Sequence, residues 1–209
     1  MSNKKRKQYS NFEELQGAER EGEDYRVVIY EHDTSSTVVI APHGGGIELG
    51  TSEIALSIAA DDLSVALFEG TKLEGNRKLH ITSTNFDEPK CLALVKTAQD
   101  VIVIHGERSN GKAVYLGGAD NQLGAFIRTS LEADGFQVKE HHNPMLQGAA
   151  SNNICNRGIK KMGVQLELTA GLRRTFFESL TETGRRHPTE NLNKFSKAVR
   201  EGLRNAGAL

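Results

Sequence analysis

The sequence predicts an α/β fold, a single domain with a mostly parallel mixed sheet and helices on both faces. Strand-like and helix-like segments alternate along the chain, and repeated β-then-α order is typical of such sheets. Residues 101–104 form a continuous apolar run, as expected of a parallel strand that is buried on both faces. Helical spacing is clear between residues 121 and 134, where the apolar positions are Leu123, Phe126, Ile127 and Leu131.

The individual elements follow from local patterns along the chain. Asn11 is a suitable cap for a short first helix. Strand 25–30 is expected to be a peripheral partner of strand 37–41. In order, we predict a helix at 11–15, strands at 25–30 and 37–41, a helix at 50–61, a strand at 64–68, a polar excursion at 69–84, a helix at 86–99, strands at 101–104 and 113–116, a helix at 121–134, strands at 136–139 and 162–168, and a helix at 190–204.

Composition favours one soluble domain in which any recognition of an anion must come from a local cluster of arginines. The chain has 209 residues and a formal net charge of −1, so no global field favours nucleic acid. No apolar run approaches the roughly 18 residues of a membrane span. Residues 1–10 begin with a basic run but lack an apolar stretch, so we expect a flexible tail and no secretory signal, followed by one catalytic domain at 11–209. We expect a monomer that is made in the cytoplasm, in which Cys91 and Cys155 form no disulfide framework.

The most informative run begins at His43 and reads His-Gly-Gly-Gly-Ile-Glu up to Glu48. It follows a predicted buried strand and precedes a predicted helix. A second strand ends in the same way, at His105-Gly106. Ligands in open α/β sheets bind beyond the carboxyl ends of strands, where the strand order reverses. Two strands that end in His-Gly therefore indicate a metal site at one edge of the sheet.

A catalytic zinc site needs three protein ligands and one open position for water. The candidate ligands are His43, Glu48 and His105, with the glycines letting the chain turn so that Glu48 comes back toward His43. His80, between two apolar residues, competes with His105 as the third ligand. A phosphate-binding nest at the helix start is another interpretation, but the run lacks a P-loop lysine and would point Glu48 at the anion.

Glu167 is the candidate general base. It lies in the alternating strand at 162–168, where Gln165 and Glu167 are on the side opposite Val164, Leu166 and Leu168. A carboxylate at such a position is costly to bury unpaired. It would be useful if it faced the open position of the zinc ion.

Three separated motifs resemble the phage poly-γ-glutamate hydrolase family. They are the runs APHGGGIELGTSEIA, VIVIHG and GVQLELTAGLRR, which occur in the family's order. Some members of that family are labelled as phage-related replication proteins, and the family core is similar to that of the zinc carboxypeptidases. The resemblance spans roughly residues 25 to 205. It implies one zinc ion held by His43, Glu48 and His105, with Glu167 as the catalytic base.

Two departures from the carboxypeptidase pattern limit which residue roles can be transferred from those enzymes to this chain. Those enzymes use a tighter His-x-x-Glu, whereas four residues separate His43 from Glu48 here. Their Asn-Arg pair precedes the second zinc histidine, whereas Asn156-Arg157 follows His105, so that pair is not transferred. The same zinc chemistry is expected if the glycine loop turns the chain enough to bring Glu48 and His43 to one ion.

The resemblance implies hydrolysis of γ-glutamyl amide bonds in poly-γ-glutamate. In that mechanism zinc activates a water molecule, Glu167 takes its proton and delivers it to the leaving amine, and a cationic or amide donor stabilises the oxyanion. Every unit of the polymer carries an α-carboxylate, which arginine binds well. The first choice for such a contact is Arg173; the others are Arg77, Arg108, Arg157 and Arg174.

Two rival functions stay open at this point. A zinc amidohydrolase or deacylase of small N-acyl amino acids would use the same ligands on a different substrate. A non-catalytic replication module would agree with the family members that are labelled as replication proteins. The chain, however, shows no basic helix or aromatic stacking pattern of the kind that binds nucleic acid. The cleavage mode, the preference for D- or L-glutamate and the choice of zinc over another divalent ion are likewise open. A phage enzyme of this kind, released by lysis, would strip a host's anionic capsule.

Overall fold

The computed structural model describes residues 8–209. The predicted flexible tail at residues 1–10 therefore lies largely outside the described residues. At its end, the Tyr9 hydroxyl donates a hydrogen bond to Glu19. Over the described residues, none of the helices has the length and apolar character needed to cross a membrane.

Seven strands form one mixed sheet in residues 8–209. They are β1 (Tyr25–Tyr30), β2 (Thr37–Gly45), β3 (Ser64–Gly70), β4 (Asp100–Glu107), β5 (Val114–Gly118), β6 (Val138–Lys139) and β7 (Val164–Thr169). Their order across the sheet is β1-β3-β2-β4-β7-β5-β6. The central strands β3, β2, β4 and β7 are parallel, while β1 is antiparallel to β3 and β5 is antiparallel to β7. The predicted mostly parallel mixed sheet is thus confirmed.

Helices cover both faces of this sheet. They are α1 (Phe12–Gln16), α2 (Thr51–Ala59), α3 (Pro89–Thr97), α4 (Asn121–Ala133), α5 (Ala170–Arg173), α6 (Glu182–Arg185) and α7 (Glu190–Asn205). One core cluster joins α2, α4 and α7 to strand residues such as Ile102 and Leu166. The other joins α1 and α3 to Val101 and Val103. Adjacent residues of β4 thus enter opposite cores, as strand alternation requires.

Several predicted boundaries were wrong, for identifiable reasons. The helix predicted from residue 86 begins at Pro89, because proline fits the first helical position and Glu88 caps the free amides of Lys90 and Cys91. Strand β2 was predicted to end at residue 41 but continues to Gly45, because it pairs again with β3 at its end. The short 3₁₀ turns Asn76–Leu79, Pro144–Leu146 and Ile154–Arg157, and the helices α5 and α6, are too short to show a periodicity.

The expected partner of β1 was also wrong, whereas its peripheral position is confirmed. We predicted that it would pair with β2, but β1 lies at the edge of the sheet and pairs with β3 over its whole length. A crossover through α2 places β3 between them. Residue patterns identify a strand from its own side chains, whereas its neighbour depends on the path of the connections.

The strand order reverses between β2 and β4. From β2 the chain crosses to β3 on one side, and it later returns through α3 to β4 on the other side. The β2–β4 ladder ends at Ile40 and Val103. Beyond that pair β2 shifts its register against β3 between Ala41 and Gly44, where Pro42 has no N–H to donate. The two strands therefore separate at their carboxyl ends, and the gap lies where such sheets bind ligands.

An ion cluster holds the excursion between β3 and α3 against the start of the domain. The Glu19 carboxylate, which is buried, binds the ammonium groups of Lys72 and Lys78 and the hydroxyl of Tyr9. Burial opposes ionisation of Glu19, but these donors lower its pKa to about 2. Lys78 lies in the 3₁₀ turn Asn76–Leu79, directly before His80.

The low pKa of Glu19 predicts a specific loss of stability in acid. Because the folded pKa lies below the ordinary 4.5, this contribution is complete above about pH 4.5 and is lost as the pH falls toward 2. Glu19→Gln should lower the free energy of unfolding by about 1–3 kcal/mol at neutral pH. The difference from wild type should shrink below pH 4.5 in urea unfolding. Glu21→Gln, which alters an exposed pair with Lys90, is the control and should change little. An equal effect of both substitutions would contradict the prediction.

Candidate metal centre

Three predicted ligands meet in the gap between β2 and β4. His43 lies near the end of β2, His105 near the end of β4, and Glu48 in the loop before α2. One possible ligand atom from each residue lies within 4.8 Å of the other two. The His43 Nδ1 is 3.1 Å from the His105 Nδ1 and 3.4 Å from the Glu48 Oε1, while the Glu48 Oε2 is 3.5 Å from the His105 Nδ1. The sequence pattern therefore corresponds to a real cluster.

The glycine run turns the chain so that Glu48 points back at His43. Gly45 has a φ of +60°, a left-handed conformation that glycine adopts without strain. A Cβ at Gly46 would lie 2.3 Å from the Asn76 Nδ2, so the backbone must pass the excursion closely. The Glu48 amide donates to the His43 carbonyl at 2.9 Å. This short closed turn brings Glu48 back to His43 across the four intervening residues.

Hydrogen bonds on the outer nitrogens orient both imidazoles. The His43 Nε2 lies 2.6 Å from the Ile81 carbonyl, which only accepts, so Nε2 carries a proton. The His105 Nε2 lies 3.0 Å from the Ser83 hydroxyl. In the neutral His43 ring, Nδ1 then offers a lone pair toward the cluster. Ring orientation by outer hydrogen bonds is characteristic of metal-binding histidines, and this donor set fits a divalent cation.

The Glu48 carboxylate carries negative charge into this cluster. Its Oε2 accepts a hydrogen bond of 2.8 Å from the Gly106 amide. Burial opposes its ionisation, but the neighbouring imidazoles, His43 first, lower the pKa of Glu48 well below its ordinary value. Glu48 is therefore ionised at neutral pH and available as a ligand.

His80, the rival third ligand, lies beside the same cluster. Its ring stacks on His43 with centroids 3.8 Å apart, and its Nε2 is 3.5 Å from the Glu48 Oε1. Its Nδ1 is buried and has no hydrogen-bond partner within residues 8–209. Burial, followed by the nearby His43, lowers the pKa of His80, which favours the neutral ring. The mutually close set is His43, Glu48 and His105, and His80 packs against it.

Glu167 lies next to His105 on the neighbouring strand. The two residues are in register on β7 and β4, so both side chains project to the same face, which we call the site face. The Glu167 Oε1 accepts a hydrogen bond of 3.2 Å from the Gln165 Nε2. Burial, with the charges of Glu48 and Glu107, raises the pKa of Glu167 to about 8. A buried carboxyl group of this kind beside a possible metal site is suited to proton transfer.

Arg173 is buried beside the cluster and is held by the backbone. Its guanidinium donates to the carbonyls of Leu49, Glu107 and Leu168. It therefore joins the loop of Glu48 to the ends of β4 and β7. Its expected contact with a substrate carboxylate stays a prediction.

The other four arginines occupy different surroundings. Arg157 donates to the carbonyls of Thr84, Phe86 and Asn152 and so holds the excursion in place. The remaining three are exposed: Arg77 in the turn before His80, Arg108 after β4, and Arg174, which donates to Asn110 at 2.8 Å. No contact in the structure tests whether any of them binds substrate. The supports from Ile81 and Ser83 carry no sequence motif, and we did not predict them. Gln165 lies in one of the three motifs, but its contact with Glu167 was not predicted.

Residues 9–198 match the family described as poly-gamma-glutamate hydrolase. The chain is 40% identical over 181 residues to the SPbeta prophage-derived UPF0714 protein YoqZ of Bacillus subtilis (strain 168), covering 85% of this chain and 64% of YoqZ. It is 39% identical over 170 residues to the UPF0714 protein YndL of the same organism, covering 81% of this chain and 66% of YndL. The matched region thus spans about two thirds of each of these relatives.

Two solved structures share the fold. Bacteriophage poly-gamma-glutamate hydrolase superposes with a TM-score of 0.91 at 30% identity, covering 95% of this chain and 97% of that one. YndL in its apo, zinc-free form superposes with a TM-score of 0.87 at 36% identity, covering 95% and 98%. The predicted fold class and the family resemblance are both confirmed.

The raised pKa of Glu167 predicts how stability of the metal-free protein depends on pH. Because the folded pKa of about 8 lies above the ordinary 4.5, stability is lost as the pH rises between these values. Glu167→Gln, which stays neutral, should gain about 1–3 kcal/mol over wild type near pH 9 and little near pH 4.5. Urea unfolding with a chelator measures the difference, and Glu201→Gln on the exposed face of α7 is the control. A pH-independent difference would contradict the prediction.

Proposed function

The chain belongs to the poly-γ-glutamate hydrolase family, and we propose that it is a zinc-dependent hydrolase of the γ-glutamyl amide bonds of poly-γ-glutamate. The observation that carries this proposal is the cluster of two imidazoles and one carboxylate with a second, buried carboxylate beside it. Three protein ligands are usual for catalytic zinc sites, and a separate acid–base group nearby can transfer the protons of the hydrolysis.

We propose His43, Glu48 and His105 as the ligands of one zinc ion. Zinc is the expected ion because the related YndL structure is described as a zinc-free apo form, and because His/Glu ligation suits zinc. When bound, the ion would activate a water molecule and polarise the scissile carbonyl. The facing Nδ1 atoms and the ionised Glu48 support this assignment, since a cation among them would be attracted by the carboxylate charge and by the imidazole lone pairs.

Glu167 is proposed as the proton carrier. It takes a proton from the attacking water and delivers it to the leaving amine, which requires a pKa near the working pH. Its pKa of about 8 without metal is in that range, and a nearby cation would shift it toward the ionised form that a base needs. Gln165 donates to one carboxylate oxygen and so holds Glu167 in orientation.

Recognition of the substrate requires positive charge outside the cluster, because each glutamyl unit carries an α-carboxylate. Arg173 places a buried positive charge near Glu48 and Glu167. Arg173 first, and then the other four arginines Arg157, Arg77, Arg108 and Arg174, are proposed as substrate contacts. Arg157 and Arg173 also join the loops around the cluster through hydrogen bonds to backbone carbonyls. We also propose that residues 11–209 act as one catalytic domain, with a role in removing a host capsule after lysis.

The ligand assignment predicts unequal effects of histidine substitutions on zinc affinity. His43→Asn and His105→Asn should each weaken zinc binding by about 100-fold or more. His80→Asn removes only a ring that packs against His43, so it should weaken zinc binding by about tenfold. Competition with a chromogenic chelator measures this without relying on activity. His187→Asn, at an exposed position, is the control. If the His80 variant lost more zinc affinity than the His105 variant, His80 would be the third ligand and His105 the packing residue.

The role of Glu167 predicts that its substitution reduces turnover but leaves zinc binding intact. Glu167→Gln should keep zinc but lose about 10²–10⁴-fold in the rate of polymer cleavage. Size-exclusion chromatography of poly-γ-glutamate, with and without a chelator, measures the activity. Full activity of the variant would remove Glu167 from the mechanism. Unchanged polymer length with zinc-loaded wild type would reject the proposed function, and cleavage of only short N-acyl glutamates would favour the small-substrate deacylase.

A further inference from the structure

Four side chains form a row across the site face, and we propose that this row and the cavity at its end bind the polymer on one side of the cleaved bond. The inference rests on the proposed function. His105 is in register with Glu167, Glu167 with Tyr115 on β5, and Tyr115 with Lys139 on β6. Residues opposite each other on neighbouring strands project to the same face. A metal ligand, a proton carrier, an aromatic ring and a lysine therefore lie side by side.

The packing of the adjacent residues supports the orientation of this row. Val114 and Val138, which precede Tyr115 and Lys139, pack in the core on the opposite face. Strand alternation then turns Tyr115 and Lys139 toward the site face. Tyr115 is half-buried and Lys139 is exposed, so this end of the row is open to a large substrate.

The row ends in an open cavity of about 680 Å³. The cavity lies at the β6 edge of the sheet, where Lys139 lines it together with Val138 of the opposite face and with Arg128, Glu140, His141, His142 and Gln147. The charge of Arg128 is partly compensated by Glu132 and Glu140, at 3.5 and 3.6 Å. Over residues 8–209, no carboxylate forms an ion pair with Lys139. Lys139 is thus the cation of this cavity that is available to an anionic ligand.

The cavity is connected to Glu167 by packing and hydrogen bonds. The ring of Tyr115 contacts that of His141, with centroids 4.8 Å apart. Gln165 donates to the Leu146 carbonyl at 3.0 Å and to Glu167 at 3.2 Å. The segment that lines the cavity is therefore held at a fixed place relative to the proton carrier.

The spacing matches a γ-linked polymer. Neighbouring strands are about 4.8 Å apart, so Lys139 lies about 10 Å from Glu167 when measured between Cα atoms. The α-carbons that carry successive carboxylates in extended poly-γ-glutamate are about 6 Å apart, because five backbone bonds separate them. The flexible lysine side chain therefore reaches an α-carboxylate one or two units from the cleaved bond. Tyr115 offers a flat apolar surface to the methylene groups between.

The test compares two charge reversals in the zinc-loaded Glu167→Gln variant, which is expected to bind polymer without cutting it. Lys139→Glu alters the row, and Lys197→Glu alters an exposed lysine on α7, on the opposite face of the sheet. Both change the net charge by the same amount, so non-specific repulsion is matched. Anisotropy of end-labelled poly-γ-glutamate gives the dissociation constant at low and high salt.

We expect Lys139→Glu to raise the dissociation constant about three- to tenfold at low salt, with less effect at high salt, and Lys197→Glu to stay within about twofold. In the active enzyme, the Lys139→Glu penalty on kcat/KM should grow from short γ-linked oligomers to the polymer. Equal effects of the two reversals, with wild type still cleaving polymer, would overturn this inference alone. Failure of zinc-loaded wild type to bind or cleave polymer would overturn the proposed function as well.

Discussion

Two imidazole nitrogens that face each other at 3.1 Å, with a carboxylate beside them, are the constraint around which the structure is organised. The Ile81 carbonyl holds the proton of His43 on its outer nitrogen and directs the inner lone pair toward His105. Donor atoms this close together in a buried place require a shared proton or a cation between them. The glycine turn, the gap between β2 and β4 and the excursion before α3 all serve to hold these donors together.

The excursion shows how much of the chain supports this arrangement. It supplies Ile81 and Ser83, which orient the two histidines, and His80, which stacks on His43. It is held at one end by the ion cluster of Glu19 and at the other by the hydrogen bonds of Arg157. A segment with few apolar side chains thus takes a defined position through buried polar contacts, which are strong where water is excluded, together with the buried side chains of Leu79 and Ile81.

Positive charge has two different uses in this molecule. Arg157 and Arg173 donate to backbone carbonyls, so their first effect is to join loops around the cluster. Lys139 has no ion pair within residues 8–209 and lies on the same face as Glu167. Residue type alone does not separate these uses, because the hydrogen bonds of a guanidinium depend on which carbonyls the fold brings near it.

The amino-acid sequence by itself determined the kinds of elements, the mixed α/β sheet and the cluster of three candidate ligands. Periodicity reflects which side of an element is buried, and two strands ending in His-Gly place their histidines at one edge of a parallel sheet. Only the tertiary structure decided that β1 pairs with β3, that His80 packs against His43, and that Glu167, Tyr115 and Lys139 form a row. These relations join residues far apart in the chain, and they depend on strand order and register, which no local pattern of side chains specifies.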